Sequence, residues 1–188
     1  MGRGRLKQYS VEVLAHQELT EADLHGLRSL FDSEYLEEFG EWDPRQPYGY
    51  ASHDVHITAR IEGRVVGHVG WAYREITVGT QTLAIAGVGG VLVSAGARGV
   101  HLGRELISWA AQSMRDHGGV SFGYLGCREE VVPFYESCGW MRIRAREGSV
   151  GRDGRPVVTE PGPPILILPI SPLQMWPDGD VDLRGWAW

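Results

Sequence analysis

Two separated segments hold residue types suited to chemistry. The apolar run Gly87-Val88-Gly89-Gly90-Val91-Leu92-Val93 is followed, after Ser94-Ala95-Gly96-Ala97, by Arg98-Gly99-Val100-His101-Leu102-Gly103, which opens a helical pattern. A strand leading through a glycine-containing loop into a helix N-terminus is ready to hold an anion. Its first-turn N–H groups have no intrahelical acceptor, and the helix dipole adds partial positive charge. Small residues let a diphosphate approach the backbone, and Arg98 supplies a cation. An ordinary strand–turn–helix that uses glycine for tightness reads the same way, because short glycine motifs are weak signals. The segment is no P-loop, since no Gly-Lys-Ser/Thr follows, and it lacks G-x-G-x-x-G spacing. The second segment, Phe134-Tyr135-Glu136-Ser137-Cys138-Gly139-Trp140, reads as a helix running into a glycine and a strand. A tyrosine at the open end of two parallel strands can present its hydroxyl to a reacting sulfur or amine. Simple aromatic packing is the competing account of Tyr135.

Other candidates are weaker. Glu37, Glu38, Glu41 and Asp43 cluster before Pro44, either as a solvated loop or as a wall for a cationic substrate. Trp42, Trp186 and Trp188 can cover sugar rings and attract ammonium groups, or pack as ordinary apolar bulk. His53-Asp54-Val55-His56 is expected at the surface rather than in a metal site, because no HExxH accompanies it; no metal is expected. His68, in an apolar strand, is expected to be a satisfied core histidine. Cys127 is expected to be a buried, inert thiol. Glu129 and Glu130 complement the dipole of the helix they start.

These residues must be positioned by the surrounding elements. The chain has 188 residues, 43% hydrophobic and 22% charged, so one globular domain with a full core is expected. Eighteen Lys+Arg against 24 Asp+Glu give a net charge of −6, which disfavours a nucleic-acid partner and suits a cationic small molecule. No apolar run is long enough to span a membrane. The start of the chain lacks an apolar leader, and Leu6 stands where a myristoylation site wants Ser or Thr. The two cysteines form no CxxC, so free thiols and a reducing cytoplasm are the default.

Strands are expected at Tyr9–His16, Val55–Ile61, Val65–Ile76, Thr82–Val93, Ser121–Leu125, Met141–Arg146 and Ile165–Ile170. Helices are expected at Glu21 to about Phe31 with Thr20 as N-cap, Ser33–Phe39, about Leu102–Asp116, and Glu129–Ser137. Leu102, Leu106, Trp109, Ala110 and Ser113 would form the inward stripe of the third helix. Gly148–Pro164 reads as a long loop and Ser171–Trp188 as an irregular tail. The order β-α-α-β-β-β-α-β-α-β-β predicts a single α/β (α+β) domain over 1–188. Its mixed sheet would be antiparallel in the N-terminal half, carry a β-α-β crossover in the second, and have helices on both faces.

The two chemical segments, in this order, resemble the GNAT superfamily of acetyl-CoA-dependent N-acetyltransferases. That family's loop reads Arg/Gln-x-x-Gly-x-Gly/Ala; Arg98 and Gly103 match, and His101 replaces the middle glycine. The resemblance implies acetyl-CoA as co-substrate, with its pantetheine between two splayed strands against main-chain groups of Val91, Leu92 and Val93. Arg98, Gly99, Val100, His101, Leu102 and Gly103 would hold the diphosphate, a strand amide near Val91 would stabilise the oxyanion, and Tyr135 would protonate the leaving thiolate. Asp182-Leu183-Arg184-Gly185-Trp186-Ala187-Trp188 resembles the terminus of aminoglycoside 2′-N-acetyltransferases, while Glu37-Glu38-Phe39, His68 in Val66-Gly67-His68-Val69, and Ile165–Pro169 resemble other stretches of those enzymes.

That narrower resemblance implies an amino-sugar substrate held by Glu38, Glu41, Trp42, Gly89, Gly90, Glu160, Trp186 and Trp188, including the terminal carboxylate. The tail 171–188 would close the site. Those enzymes carry a Glu where Gly89 stands here, so the inherited base is absent and the pocket is wider. A small amino sugar such as kasugamycin fits this expectation better than a polycationic aminoglycoside, with antibiotic inactivation as the outcome. A homodimer is compatible with the resemblance. Two other readings stay open: acylation of a different small-molecule or peptide amine, and CoA or acyl binding without turnover.

Overall fold

The computed structural model describes residues 9–188, so the reading made on Leu6 lies outside the described residues. Ten strands form one mixed sheet: β1 (Ser10–Ala15), β2 (Val55–Ile61), β3 (Arg64–Val78), β4 (Gln81–Val93), β5 (Phe122–Gly126), β6 (Met141–Ile143), β7 (Glu147–Val150), β8 (Pro156–Thr159), β9 (Ile165–Pro169) and β10 (Val181–Trp186). Three α-helices accompany them among the described residues: α1 (Glu21–Phe39), α2 (Leu102–His117) and α3 (Val132–Glu136). The path across the sheet is β6-β9-β5-β4-β3-β10-β7-β8, with β2 on β3 and β1 on β2.

The long strand β3 is the spine. Its first half pairs antiparallel with β2, while its far end pairs with β10 through Val78↔Val181 and Thr77↔Asp182. Along its other edge lies β4. Strands β4 and β5 are parallel, as the α2 crossover demands. The helices cover opposite faces. Leu27, Leu30 and Phe31 of α1 pack with Val65 and Leu92, whereas Leu102, Leu106, Ile107, Ala110 and Met114 of α2 pack with Val66, Ala86 and Val88. The mixed α/β architecture therefore forms as its alternating and helical periodicities dictate.

Five local expectations need correction. Helix α1 is continuous through Phe39, because Ser33 turns its hydroxyl onto the Leu30 carbonyl (2.7 Å) instead of capping a new helix. Thr20 caps it reciprocally with Asp23. On α2, Trp109 is 44% exposed, and Ile107, Ala111 and Met114 complete the buried stripe. The helix expected over Glu129–Ser137 begins as a 3₁₀ turn and is α-helical only from Val132. The expected loop contains the β7–β8 hairpin, and the expected irregular tail contains β10. Val181 and Leu183 alternate inward there with 2% and 0% exposure, a period-2 signal hidden among charged and glycine residues.

Candidate functional site

The parallel pairing of β4 and β5 lasts only from Ile85↔Phe122 to Gly87↔Tyr124. Beyond Gly87 the strands part, and β5 continues against β9 through Leu125↔Leu166 and Gly126↔Ile165. The outer edge of Val88–Val93 is thus left without a strand partner among the described residues. Against β3, a bulge separates the Gly70↔Gly89 and His68↔Leu92 pairs, and Gly90 takes a left-handed φ of +58° within it. Only glycine adopts that geometry without strain, and the bulge turns the strand away from its neighbours.

A cleft of about 980 Å³ fills the opening. Its floor is Val88–Val93, its mouth the α2 N-terminus with Arg98, Gly99, His101, Leu102 and Gly103, and its far side Leu125–Cys127 with Phe134 and Tyr135. Gly99 (φ +83°) and His101 (φ +63°) are both left-handed, so the chain coils tightly before α2 begins. His101 caps no amide with its side chain, and the first backbone bond into the helix is Glu105 N–H to the His101 carbonyl at 3.2 Å. The preceding first-turn amides are thereby available to an anion. His101 meets the backbone demand of the glycine it replaces at the cost of an unfavourable φ.

Arg98 is more constrained than expected. Its Nε donates to the Val93 carbonyl (2.9 Å) and its terminal nitrogen to Glu34 of α1 (3.1 Å). It braces the loop against α1, and Glu34 offsets much of its charge. Val100 is 47% exposed and does not line the cleft.

Tyr135 is 7% exposed, lies edge-on to Phe134 and Trp140, and lines the cleft. Burial, then the proximity of Cys127 and Cys138, raises its phenol well above the ordinary tyrosine range. It therefore stays protonated, as a proton donor must.

The opposite wall mixes expected and unexpected residues. Glu38, Gly89, Gly90 and Trp188 line the cleft. Trp42 does not: it is 1% exposed and stacked on Phe31 at 5.1 Å, a core residue beneath α1 rather than a sugar platform. Glu41 is exposed and off the cleft. Glu160 pairs with Arg146 at 3.0 Å, away from the cleft. Trp186 stays half-exposed at the end of β10, where its carbonyl accepts from Arg74 (2.6 Å). Trp188 goes inward. Its indole lies over Gly87, where a Cβ would come within 2.1 Å of the ring, and Arg74 stacks on its other face at 4.0 Å. The Ala187 carbonyl accepts from Ala51 N–H (2.8 Å) and pins the tail in place.

Of the aromatic wall of Tyr35, Phe39, Tyr48 and Tyr50, only Phe39 was singled out from the sequence. The Pro47-Tyr48-Gly49-Tyr50 run was the signal for two of the others. Desolvation, aided by Asp32, pushes the Tyr48 phenol up to about 12.

The histidines contradict the surface expectation. His53 and His56 are 4% and 0% exposed, and His68 is 0% exposed. His68 Nδ1 lies 2.7 Å from the Gly90 carbonyl, His68 Nε2 lies 3.0 Å from His56 Nδ1, and His56 Nε2 lies 3.1 Å from His16 Nδ1. A carbonyl only accepts, so each Nδ1 along this row of rings donates and each Nε2 of His56 and His68 accepts. His68 is thus the satisfied core histidine expected. One ring nitrogen each of His53, His56 and His68 lie within 4.8 Å of one another. Two of these rings already bond to each other, whereas His53 Nδ1 is buried without a partner. Burial first, and the neighbouring rings second, push all three down to about 3.

With this geometry in hand, comparison decides the family. The profile of the family described as Nodulation protein A (NodA) matches residues 8–185. The chain belongs to the NodA family. No curated protein sequence matches it. Among solved structures, it is similar to Escherichia coli ElaA, with 20% identity and a TM-score of 0.62 over 86% of this chain and 99% of that one. It is also similar to the Escherichia coli GNAT family N-acetyltransferase YhbS in complex with CoA, with 16% identity and a TM-score of 0.62 over 97% and 93% of the two chains. A Brucella melitensis GNAT family acetyltransferase in complex with acetyl-CoA follows at 15% identity and a TM-score of 0.58, covering 92% and 94%. The fold of this NodA-family chain is therefore the GNAT fold. Among the described residues no helix is long and apolar enough to cross a membrane.

Proposed function

We propose that this NodA-family chain is an N-acyltransferase that moves an acetyl group from acetyl-CoA to the primary amine of a small amino sugar by direct transfer. The observation that carries this reading is the parting of β4 from β5 after Gly87, directly beside the free amides of α2. An open strand edge suits the amide-bearing pantetheine arm, and amides at a helix N-terminus suit a diphosphate. The residues present fit that group. Bound there, acetyl-CoA supplies an activated acyl carbon.

The chain's own groups do the rest. Main-chain donors near Val91 polarise the carbonyl oxygen, and a protonated Tyr135 meets the departing sulfur. Glu38 and the aromatic wall hold a cationic acceptor through charge-assisted hydrogen bonds and cation–π contact. The negative chain charge has the right sign for such an acceptor. A kasugamycin-like amino sugar is the first acceptor to try, with drug inactivation as the biological consequence. Dimer formation and a cytoplasmic setting belong to this same reading.

A thiol-release assay with acetyl-CoA across amino sugars, polyamines and peptides tests it. Turnover on kasugamycin but not on gentamicin-like drugs is the expected result. Turnover only on peptide or polyamine amines would move the acceptor class. CoA binding without thiol release on any amine would leave a binding protein.

A further inference from the structure

Composition alone puts His53 and His56 at the surface and leaves no metal site. The fold instead buries both beside His68, where Phe31 of α1 lies edge-on to the His68 ring. We infer that His53, His56 and His68 form a structural site for one transition-metal dication of the zinc class, with water as the fourth ligand. The inference stands apart from the acyl-transfer reading and does not need it.

Strand register brings the three rings together. His56 and Thr58 of β2 face the same way as their partners Gly70 and His68 of β3. Gly70 has no side chain, and His53, arriving just before β2, lays its ring over that gap. A Cβ on Gly70 would come within 2.4 Å of His53 Cγ. The point that a Cβ on Gly90 would occupy lies 3.1 Å from His53 Cε1 and 3.0 Å from His68 Nδ1. The rings form a triangle, with centroids 5.2 Å apart for His56–His68, 5.7 Å for His53–His68 and 5.8 Å for His53–His56. Three imidazoles on a tetrahedral ion, with Zn–N of about 2.0–2.1 Å, stand with centroids about 5.2 Å apart and nitrogens about 3.3 Å apart. One ring nitrogen of each histidine already lies within 4.8 Å of the other two, so the remaining adjustment is one of side-chain torsions.

The hydrogen bonds orient the donors. His68 Nδ1 bonds the Gly90 carbonyl at 2.7 Å, which leaves Nε2 as its lone pair. A carbonyl behind a ligating ring is the outer bond that metal-bound histidines use. In the metal-free chain His56 Nδ1 occupies that lone pair at 3.0 Å, while His56 Nε2 meets His16 Nδ1 at 3.1 Å. On binding, His56 gives its Nδ1 proton to solvent and takes one at Nε2 from His16. The half-buried His16 regains a proton at its own Nε2 from solvent, so no net proton is released. His53 Nδ1 is buried without any partner. Thr58 Oγ1, on the register partner of His68, is likewise buried and unpartnered, and is free to bond a water on the ion. Buried polar atoms without partners in one histidine-lined pocket mark the place of an ion or water.

Burial keeps the three rings neutral, the form that coordinates. A proton sits on one ring, whereas a metal ion is shared among three lone pairs. Water on zinc ionises near pH ~7, and a bound hydroxide halves the charge of the buried ion. An all-imidazole donor set selects zinc and its transition-metal neighbours over calcium and magnesium, which want oxygen. Bound there, the ion ties β2 to β3 and, through the Gly90 carbonyl, both to the bulge of β4.

The test takes the full chain without an affinity tag, strips it with a chelator, and titrates it by calorimetry with zinc or cobalt(II) chloride. Wild type should take one ion per chain with a Kd below about 1 μM. Its cobalt form should show the visible bands of a four-coordinate, nitrogen-ligated ion. Zinc at about one hundred times Kd should raise the melting midpoint by about 5–10 °C. His53→Gln should weaken zinc binding at least about 100-fold, and His16→Gln, which removes only an outer bond, about tenfold. His25→Gln, at an exposed histidine of α1, should change nothing. Where His53→Gln fails to fold, X-ray absorption of the wild-type zinc complex decides, with three imidazole nitrogens expected at about 2.0–2.1 Å. Wild type that takes up neither ion, full affinity in His53→Gln, an equal loss in His25→Gln, or fewer than three imidazoles around the zinc would each overturn the site. Acyl transfer is no part of these readouts, so their failure leaves the N-acyltransferase reading standing.

Discussion

The side of the cleft proposed for the diphosphate comes from one contiguous stretch, Val88 to Gly103, whereas the side proposed for the acceptor is assembled from α1, Tyr48 and Tyr50, Gly89 and Gly90 of β4, and Trp188 far along the chain. The first side works mainly with backbone: a bulge at Gly90, an unpaired strand edge and the amides of a helix start. The second works with side chains that meet only through the sheet. A local, backbone-built site tolerates substitutions that keep its φ/ψ pattern. A side-chain-built site depends on every segment arriving in register.

Four measurements sharpen or break this contrast. The largest effect concerns pH, because the acceptor side alone buries a histidine cluster. His53, His56 and His68 sit well below their unfolded value in the folded state, so the unfolded chain binds more protons between about pH 6.5 and pH 3. Their contribution is fully present above the unfolded pKa and is lost as pH falls through that window. The slope approaches about 1.4 kcal/mol per pH unit for each ring that stays neutral. Urea titrations at pH 7 and pH 5 should show a marked drop in midpoint, and equal midpoints would mean the rings are not buried as described.

Next, Gly103→Asp places a carboxylate among the helix-start amides and should weaken CoA binding about 100-fold by calorimetry, with little change in urea midpoint. An unaffected Kd would remove the diphosphate from this loop. Tyr135→Phe should slow kcat about tenfold while leaving CoA affinity intact, since a thiolate is a fair leaving group without help. Equal kcat would reduce Tyr135 to packing. Trp188→Ala should raise the acceptor KM a few-fold to about tenfold and spare CoA binding. A parallel loss of CoA affinity would show that the two sides are not independent.

The legibility of the sequence follows the same division. Apart from the break expected within α1, the order of strands and helices through β6, the crossover at α2 and the cleft positions of Val91–Val93, His101–Gly103 and Tyr135 could be read from periodicity and motif, because each depends on residues close in sequence. Trp42 misled because an acidic neighbourhood looks exposed, while its ring stacks on Phe31 across a turn. His53 and His56 misled because polar composition predicts a surface, while the glycines that admit His53 lie on two other strands and His56 is held between His16 and His68. Strand β10 stayed hidden because its pairing partners, Thr77 and Val78 of β3, stand far back along the chain.

By itself the sequence determined the mixed α/β class, the crossover and the anion-ready loop. Side-chain alternation, helical spacing and glycine φ freedom act over a few residues and need no distant partner. Only the tertiary structure decided which acids and aromatics reach the cleft, that Arg98 braces against Glu34, and that His53 occupies a slot cut by Gly70, Gly89 and Gly90. Those outcomes turn on strand register and on excluded volume between segments far apart in the chain, and no local pattern encodes either.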